Sequence, residues 1–143
     1  MTRERKVAGM TAVDLFTDSL NILADGSVEV AAASSDSSPV DLGSGLVVVG
    51  DPAFRSVSAV RLTESSRHRG ERHLDGDELV YLTAGSAGIE LQREDSEERQ
   101  TITLHPGEIA IVPRNVWHRV LVHEPSEFVF MVPGRTEVRV PQP

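Results

Sequence analysis

The residues of this chain best suited to chemistry include Glu71, His73 and Glu78, which lie in one short stretch. Glu71 and His73 are two residues apart, so an extended backbone turns both side chains to the same face. Asp75-Gly76 favours a turn after them. Glu78 then opens an apolar run that alternates as a strand does. The pattern predicts a carboxylate close to the pair that precedes the turn.

A fourth candidate, His118, opens a later predicted strand. Alternation places His118, Val120 and Val122 on one face and Arg119 and Leu121 on the other. His118 is therefore expected to point inwards, towards the other candidate ligands.

Two imidazoles with one or two carboxylates suit one divalent metal ion. Fe(II), Mn(II), Ni(II) and Zn(II) all accept such ligands, and open positions beside them suit oxygen chemistry. The chain has no cysteine, which excludes disulfides, iron–sulfur clusters and thiol nucleophiles. Any metal must therefore be held by His, Asp or Glu.

The length and net charge of the chain indicate how many domains it has and which classes of binding partner are unlikely. The chain has 143 residues, 14 Lys and Arg against 22 Asp and Glu, and a net charge of −8. We expect one domain and no nucleic-acid partner, because phosphate binding needs the opposite charge. No apolar run approaches the roughly 20 residues that span a bilayer. The N-terminal residues lack the apolar core of a signal peptide, so we predict no membrane and a cytoplasmic protein.

Short apolar runs at regular spacing must position the site. Asp25-Gly26 predicts a hairpin between two strands, Leu20–Leu23 and Val28–Val30. Eight further runs, separated by Gly, Pro and Asp, predict an all-β sandwich or barrel. They are Leu46–Val49, Val57–Leu62, Glu78–Leu82, Gly88–Leu91, Gln100–Leu104, Glu108–Val112, His118–Val122 and Phe128–Val132.

Three segments fall outside this pattern. Residues 1–10 are charged and aperiodic and predict a flexible tail, with 11–143 as the barrel domain. A short helix at Thr11–Leu15 is the alternative to strand there. Ala33–Gly45 is rich in Ser, Asp, Pro and Gly and predicts a loop, with a second domain boundary as the less favoured interpretation.

Two stretches resemble the motifs of the cupin family. Residues 71–85 resemble the first motif, with four residues between His73 and Glu78 and six between Glu78 and Gly85. Residues 107–118 resemble the second, with Gly107, Pro113 and His118 in register.

The chain departs from the cupin motifs at two positions. Glu71 stands where the family's leading His is expected. Asn115 replaces a Gly, although Asn also tolerates a left-handed turn.

The resemblance implies a jelly-roll β-barrel of cupin type that binds metal through His73, Glu78 and His118. Glu71 is the uncertain member. It is a fourth ligand, a catalytic general base with a burial-raised pKa, or a solvated surface acid. In a barrel that has lost its metal, His73 and His118 are core histidines and Glu78 needs other donors.

Other polar and aromatic residues are assigned simpler roles. Asp75 and Asp77 are turn formers, with Asp77 a substitute ligand if the register slips by one. We expect His68 and His105 at the surface. Trp117 and Tyr81 are expected to pack in the core. Three arginines are predicted either to hold an anionic substrate or to form a solvated face: Arg72, Arg114 and Arg119.

Two functions follow from this interpretation. The first is a small metalloenzyme of oxygenase, lyase or isomerase type acting on an oxygen-bearing small molecule, with Val80, Leu82 and Val120 as pocket wall. The second is a non-catalytic ligand-binding or accessory module whose metal is structural or absent. A homodimer is expected in either case, and outward Leu79, Tyr81 and Leu121 are candidates for its surface.

Overall fold

Antiparallel β-strands make up all the regular structure in the part of the chain that the computed structural model describes, residues 4–6, 9–32, 40–43, 45–92 and 97–141. No helix there could cross a membrane. In chain order the strands are β1 Glu4–Lys6, β2 Asp18–Leu23, β3 Val28–Ala32, β4 Val40–Gly43, β5 Leu46–Val49, β6 Phe54–Leu62, β7 Gly70–His73, β8 Glu78–Gln92, β9 Arg99–Leu104, β10 Ile109–Val112, β11 Trp117–Pro133 and β12 Thr136–Arg139.

The strands form one curled sheet organised around β8 and β11. Its main path runs β1-β3-β2-β6-β11-β7-β12-β5-β4. Strand β11 pairs with β6 along its C-terminal part, with β7 near its start and with β8 along most of its length. Strands β9 and β10 pair with opposite ends of β8. The all-β prediction is confirmed, and the strands that carry the first cupin-like motif, β7 and β8, pair with those that carry the second, β10 and β11.

Two of the Gly- or Pro-containing segments that separate predicted strands prove to be bends inside long strands. Ala84-Gly85 lies within β8 and Glu124-Pro125 within β11, where the register shifts between Val122 and Phe128. Gly85 has a φ of 99°, and a Cβ there would overlap Ser126 Oγ. The missing side chain therefore lets the two bent strands touch, which the turn signals alone did not indicate.

The hydrophobic core fills one part of the sheet's inner face. It is built from β8, β9, β10 and β11, and its fully buried members include Leu82, Ile89 and Phe128. The rings of Phe128 and Phe130 stack with centroids 5.4 Å apart. Strands β2, β5, β6 and β7 instead line an open cavity. Val80 and Leu82 belong to the core and not to the cavity wall, which corrects that prediction, whereas Val120 does line the cavity.

Three predictions for the N-terminal third need revision. The Thr11–Leu15 segment contains no helix, and Asp14 instead caps a turn by accepting a hydrogen bond from Phe16 N at 2.9 Å. Glu4–Lys6 pairs with β3, so this part of the expected tail is a strand. Val40–Gly43 forms β4 within the expected loop. Residues 1–3, 7–8, 33–39 and 44 lie outside the described residues.

The outer face of β8 is partly apolar. Tyr81 is 37% exposed, which corrects its expected core position, and it lies opposite exposed Ile109. Leu79 lies opposite exposed Ile111 in the same pair of strands. The orientation expected for Leu79 and Tyr81 is therefore correct, and the homodimer stays a prediction.

Candidate metal centre

His73, Glu78 and His118 form the buried part of the predicted site. The three residues are at most 2% exposed. His118 Nε2 lies 3.1 Å from Glu78 Oε1, and His73 Nε2 lies 3.2 Å from Glu78 Oε2. The two imidazole centroids are 5.1 Å apart. One carboxylate thus faces two histidines inside the protein, as the strand alternation predicted.

Each histidine is oriented by a hydrogen bond at its other nitrogen. His118 Nδ1 lies 3.0 Å from the carbonyl oxygen of Val116, which only accepts, so Nδ1 carries the proton. His73 Nδ1 lies 2.9 Å from Thr136 Oγ1 on β12. Both Nε2 atoms are therefore directed at Glu78, the arrangement in which an imidazole can offer a lone pair to a metal.

Glu71 is the least buried member of the predicted site. Its side chain is 22% exposed, and its Oε1 is 3.5 Å from His118 Nε2. The backbone explains this approach, because Glu71 on β7 is paired directly with His118 on β11. Glu71 belongs to the same cluster as the other three residues.

His68 reaches the site as well, contrary to the expectation of a surface position. Its Nε2 lies 3.6 Å from Glu71 Oε2, and its Nδ1 accepts a hydrogen bond from Gly70 N at 3.1 Å. Burial is the main cause that lowers the pKa of His68, so the neutral ring is favoured. The compact Ser-Ser-Arg-His-Arg-Gly stretch gave no periodic signal that could have located this ring.

The electrostatics of the cluster favour a cation beside His118. Burial acts to lower the pKa of His118, but hydrogen bonds and charges from Glu71 and Glu78 outweigh it and raise the pKa to about 10. Burial acts to raise the pKa of Glu78, but the hydrogen bond from His118 and the electrostatic attraction of the nearby His73 outweigh it, and the pKa falls. Two carboxylates around one imidazole thus stabilise positive charge, whether a proton or a metal ion.

The four side chains fit a divalent metal ion. One donor atom from each of Glu71, His73, Glu78 and His118 lies within 4.8 Å of the others. His73 Nε2 is buried and makes no hydrogen bond in the described part of the protein, although Glu78 is near enough for electrostatic attraction. Such an unmatched buried nitrogen is costly unless something else binds it. Two imidazoles and carboxylates are ligands that Fe(II), Mn(II), Ni(II) and Zn(II) accept.

A cavity of about 620 Å³ opens onto this cluster. Glu71, His73 and Glu78 contribute to its wall, together with apolar side chains such as Val120 and Phe130. A small molecule that enters the cavity would therefore meet the ligand cluster directly, a common arrangement for a binding site.

Other predicted residues take the roles assigned to them. Asn115 has a φ of 64°, so it does adopt the left-handed turn for which the cupin motif uses Gly. Asp77 is exposed and accepts a hydrogen bond from Arg114 N at 2.8 Å, which connects the segment before β8 to the segment before β11. His105 is exposed and pairs with Glu108.

The three arginines predicted either to hold an anionic substrate or to form a solvated face lie outside the cavity wall. Arg72 pairs with Glu137 at 2.9 Å, and Arg119 lies 3.4 Å from Glu90. Neither of them nor Arg114 contributes to the wall of the cavity. Trp117 is buried as expected, with the guanidinium carbon of Arg139 3.7 Å from its ring centroid.

Known proteins show distant similarity to this chain. No protein-family model and no curated protein sequence matches this chain. Solved structures similar to it include a cupin-2 domain containing protein from Shewanella frigidimarina, at 20% identity over 70% of this chain and 83% of that chain, with a TM-score of 0.44. KdgF from Halomonas sp. is similar at 19% identity over 72% and 86%, with a TM-score of 0.40. The Momordica charantia 7S globulin is similar at 13% identity over 80% and 39%, with a TM-score of 0.47.

At such identities a similarity concerns fold and not activity. The strand pairing brings the two motif stretches together around the cavity, and the expected all-β architecture is confirmed.

Proposed function

We propose that Glu71, His73, Glu78 and His118 hold one divalent metal ion and that the adjoining cavity delivers a small oxygen-bearing molecule to it. The observation that carries the proposal is His73 Nε2, which is buried, directed at the cluster and without a hydrogen bond in the described part of the chain. Glu78 Oε2 lies 3.2 Å from this nitrogen but forms no hydrogen bond with it, so a metal ion between them would satisfy both atoms.

The reaction class that fits is oxygenase-, lyase- or isomerase-type chemistry on that molecule. When bound, the ion would supply Lewis acidity and, if it is redox-active, oxygen chemistry. His73, Glu78 and His118 are buried and would serve as ligands. Glu71 is partly exposed beside the cavity, so it can act as fourth ligand or exchange a proton with a substrate.

His68 supports Glu71 in this proposal. Its neutral ring would turn Nε2–H towards Glu71 Oε2, because Nδ1 already accepts the Gly70 N–H. This contact of 3.6 Å would attract the carboxylate electrostatically and help to hold it beside the cluster. His68 is therefore a positioning residue and not a ligand.

A second candidate function is a non-catalytic module that binds a small ligand without turnover. It is favoured by the hydrogen bond between Glu78 and His118, which lets much of the cluster satisfy itself without an ion. In this case metal would contribute to stability alone or be dispensable.

Metal content tests the proposal. Protein purified without chelator or affinity metal is analysed for bound metals and melted with and without EDTA, since an ion bound only to the folded state raises the melting temperature. We expect about one ion per chain in wild type and none in His73→Ala. His105→Ala is the matched control, because His105 is exposed and distant from the cluster. Wild-type protein that binds no divalent metal would contradict the proposal.

Glu71→Ala separates the two roles of the acid. Loss of metal in this variant would identify Glu71 as a ligand. Retained metal with lost substrate turnover would identify it as a general base, and retained turnover would exclude both roles.

A further inference from the structure

The cavity has a polar wall on the side away from the metal cluster. Asn21 and Ser19 on β2 and Ser56 and Ser58 on β6 contribute to it. They share the inner face of the sheet with Phe130 and Val132 of β11, which lie opposite Ser58 and Ser56. A row of small polar side chains on β2 and β6 therefore lies next to the apolar side chains of β11 on the inner face of the sheet.

Strand register gives the span between this wall and the cluster. Ser56 pairs with Val132 on β11, and the neighbouring Met131 pairs with Leu79 on β8, next to Glu78. Ser56 thus lies two strands from the start of β8, which at the usual strand spacing is about 10 Å. Asn21 pairs with Ser56 and lies one strand further. A molecule of roughly one six-carbon unit can reach from the cluster to the polar wall.

The polar wall retains unused hydrogen-bonding capacity. Asn21 is only 7% exposed, and its side-chain oxygen accepts a hydrogen bond from Ser56 Oγ at 3.2 Å. Within the described residues, the Asn21 amide NH₂ and the hydroxyls of Ser19 and Ser58 have no protein partner. Sheltered donors and acceptors of this kind are matched best by hydroxyl groups, which both donate and accept.

Charge excludes an anionic ligand at this wall. The described residues around the cavity include no Lys or Arg, and their only charged side chains are Asp51, Glu71 and Glu78. Glu71 and Glu78 belong to the metal cluster. Asp51 is exposed, and its Oδ1 accepts the N–H of Ala53. A phosphate or a second carboxylate would lose its hydration without gaining a cation here.

We propose that the cavity binds an uncharged, polyhydroxylated small molecule, with some hydroxyls on Asn21, Ser56 and Ser58 and its other end at the metal cluster. Contact with the metal rests on the function proposed above, whereas contact with the polar wall does not. The C–H faces of the molecule would pack on Leu62, Val120 and Phe130 between the two ends.

The test uses probes of one size that differ in charge. Binding of D-glucose, myo-inositol, D-glucosamine, D-gluconate and glucose 6-phosphate to the zinc-loaded full chain is measured by saturation-transfer NMR and titration. We expect glucose or inositol to bind at least tenfold more tightly than any charged probe. Tighter binding of gluconate, glucose 6-phosphate or glucosamine would overturn the proposal, as would no saturable binding of either neutral probe.

Variants of the polar wall locate the binding. Ser58→Ala and Asn21→Leu should weaken binding of the neutral probe about tenfold and leave the zinc content unchanged, whereas Thr101→Ala on the exposed face of β9 should change neither. Ser58→Ala removes one hydroxyl and guards against misfolding of the more buried Asn21 variant. Unchanged binding in a folded Ser58→Ala variant would overturn the proposal.

Zinc analysis of the same samples separates this proposal from the metal centre. Protein that binds no zinc but still binds glucose in an Asn21-dependent way would contradict the metal function alone and support the polar wall. Protein that binds zinc but no neutral probe would overturn only the polar wall.

Discussion

His73 on β7 and Thr136 on β12 are joined by a contact of 2.9 Å between Nδ1 and Oγ1, and both residues are buried. The two strands pair directly at these positions. The contact leaves His73 Nε2 as the atom directed at the cluster. Thr136 thus controls which nitrogen of a candidate ligand faces the site.

Thr136→Val should weaken metal binding because it removes this hydroxyl while preserving side-chain shape. We expect an affinity loss of about 10- to 100-fold, as is typical when the outer partner of a metal-binding histidine is removed. Competition titration with a chromogenic chelator measures it. Thr136→Ser keeps the hydroxyl and should bind nearly as wild type. Equal affinities in the Val and Ser variants would show that Thr136 does not orient the ring.

Gly85→Ala should destabilise the fold strongly, because the new Cβ would overlap Ser126 Oγ between the two bent strands. Gly107→Ala is the matched control, since Gly107 has a similar φ of 92° but open space around it. We expect about 1–2 kcal/mol from backbone strain in the control and at least about 2 kcal/mol more in Gly85→Ala. Urea unfolding measures both, and equal losses would contradict the close strand approach.

Asp75→Asn should lower the free energy of unfolding at neutral pH. Asp75 accepts hydrogen bonds from Arg135 N, Nε and Nη2 at 2.7, 3.0 and 2.7 Å. It was predicted only to form a turn, and these bonds give it an additional role. Hydrogen bonding to Arg135 is the main cause that lowers the pKa of Asp75 from 3.8 to about 2. A loss of about 1–2 kcal/mol is expected for partly exposed charge-assisted bonds.

The pH dependence of this effect has a defined sign. Because the folded pKa is depressed, the stabilisation is present above pH 3.8 and is lost as the pH falls through about 2. The difference between wild type and Asp75→Asn should therefore vanish near pH 2. Asp18→Asn, at an acid without an ion pair in the described structure, should follow wild type throughout. A difference that persists at pH 2 would contradict the ionic origin.

His118 should make EDTA-treated protein less stable at alkaline pH. Its folded pKa of about 10 lies above the ordinary 6.5, so the stabilisation from Glu71 and Glu78 is complete below 6.5 and disappears as the pH rises through 10. Unfolding free energies measured across this range should decline in wild type. His118→Gln should lack this part of the decline, and parallel curves for the two proteins would contradict the assignment.

Much of the site was predictable from local sequence. Glu71 and His73 share a face because side chains alternate along β7, and the same rule directs Glu78 and His118 inwards. The motif spacing also located Asn115, whose positive φ replaces a Gly. These features depend on a few consecutive residues, so a single sequence indicates them.

Contacts between distant strands were not predictable. Thr136–Arg139 is four residues long and follows a Pro-Gly turn, and it becomes a strand because β5 and β7 pair with its two edges. His68 was expected at the surface because the polar, aperiodic residues around it give no signal of burial, even though Glu71 is only three residues away in the sequence. Leu82 was expected in the pocket wall, yet it packs in the core with residues of β9, β10 and β11.

The sequence by itself determined the all-β architecture and the inward direction of His73, Glu78 and His118, since strand period and turn chemistry act over a few bonds. Only the tertiary structure decided that Glu71 meets His118, that Thr136 orients His73 and that a polar wall with no cationic side chain among its described residues faces the cluster. These relationships join residues on different strands, and their distances depend on sheet curvature and register, which no short segment encodes.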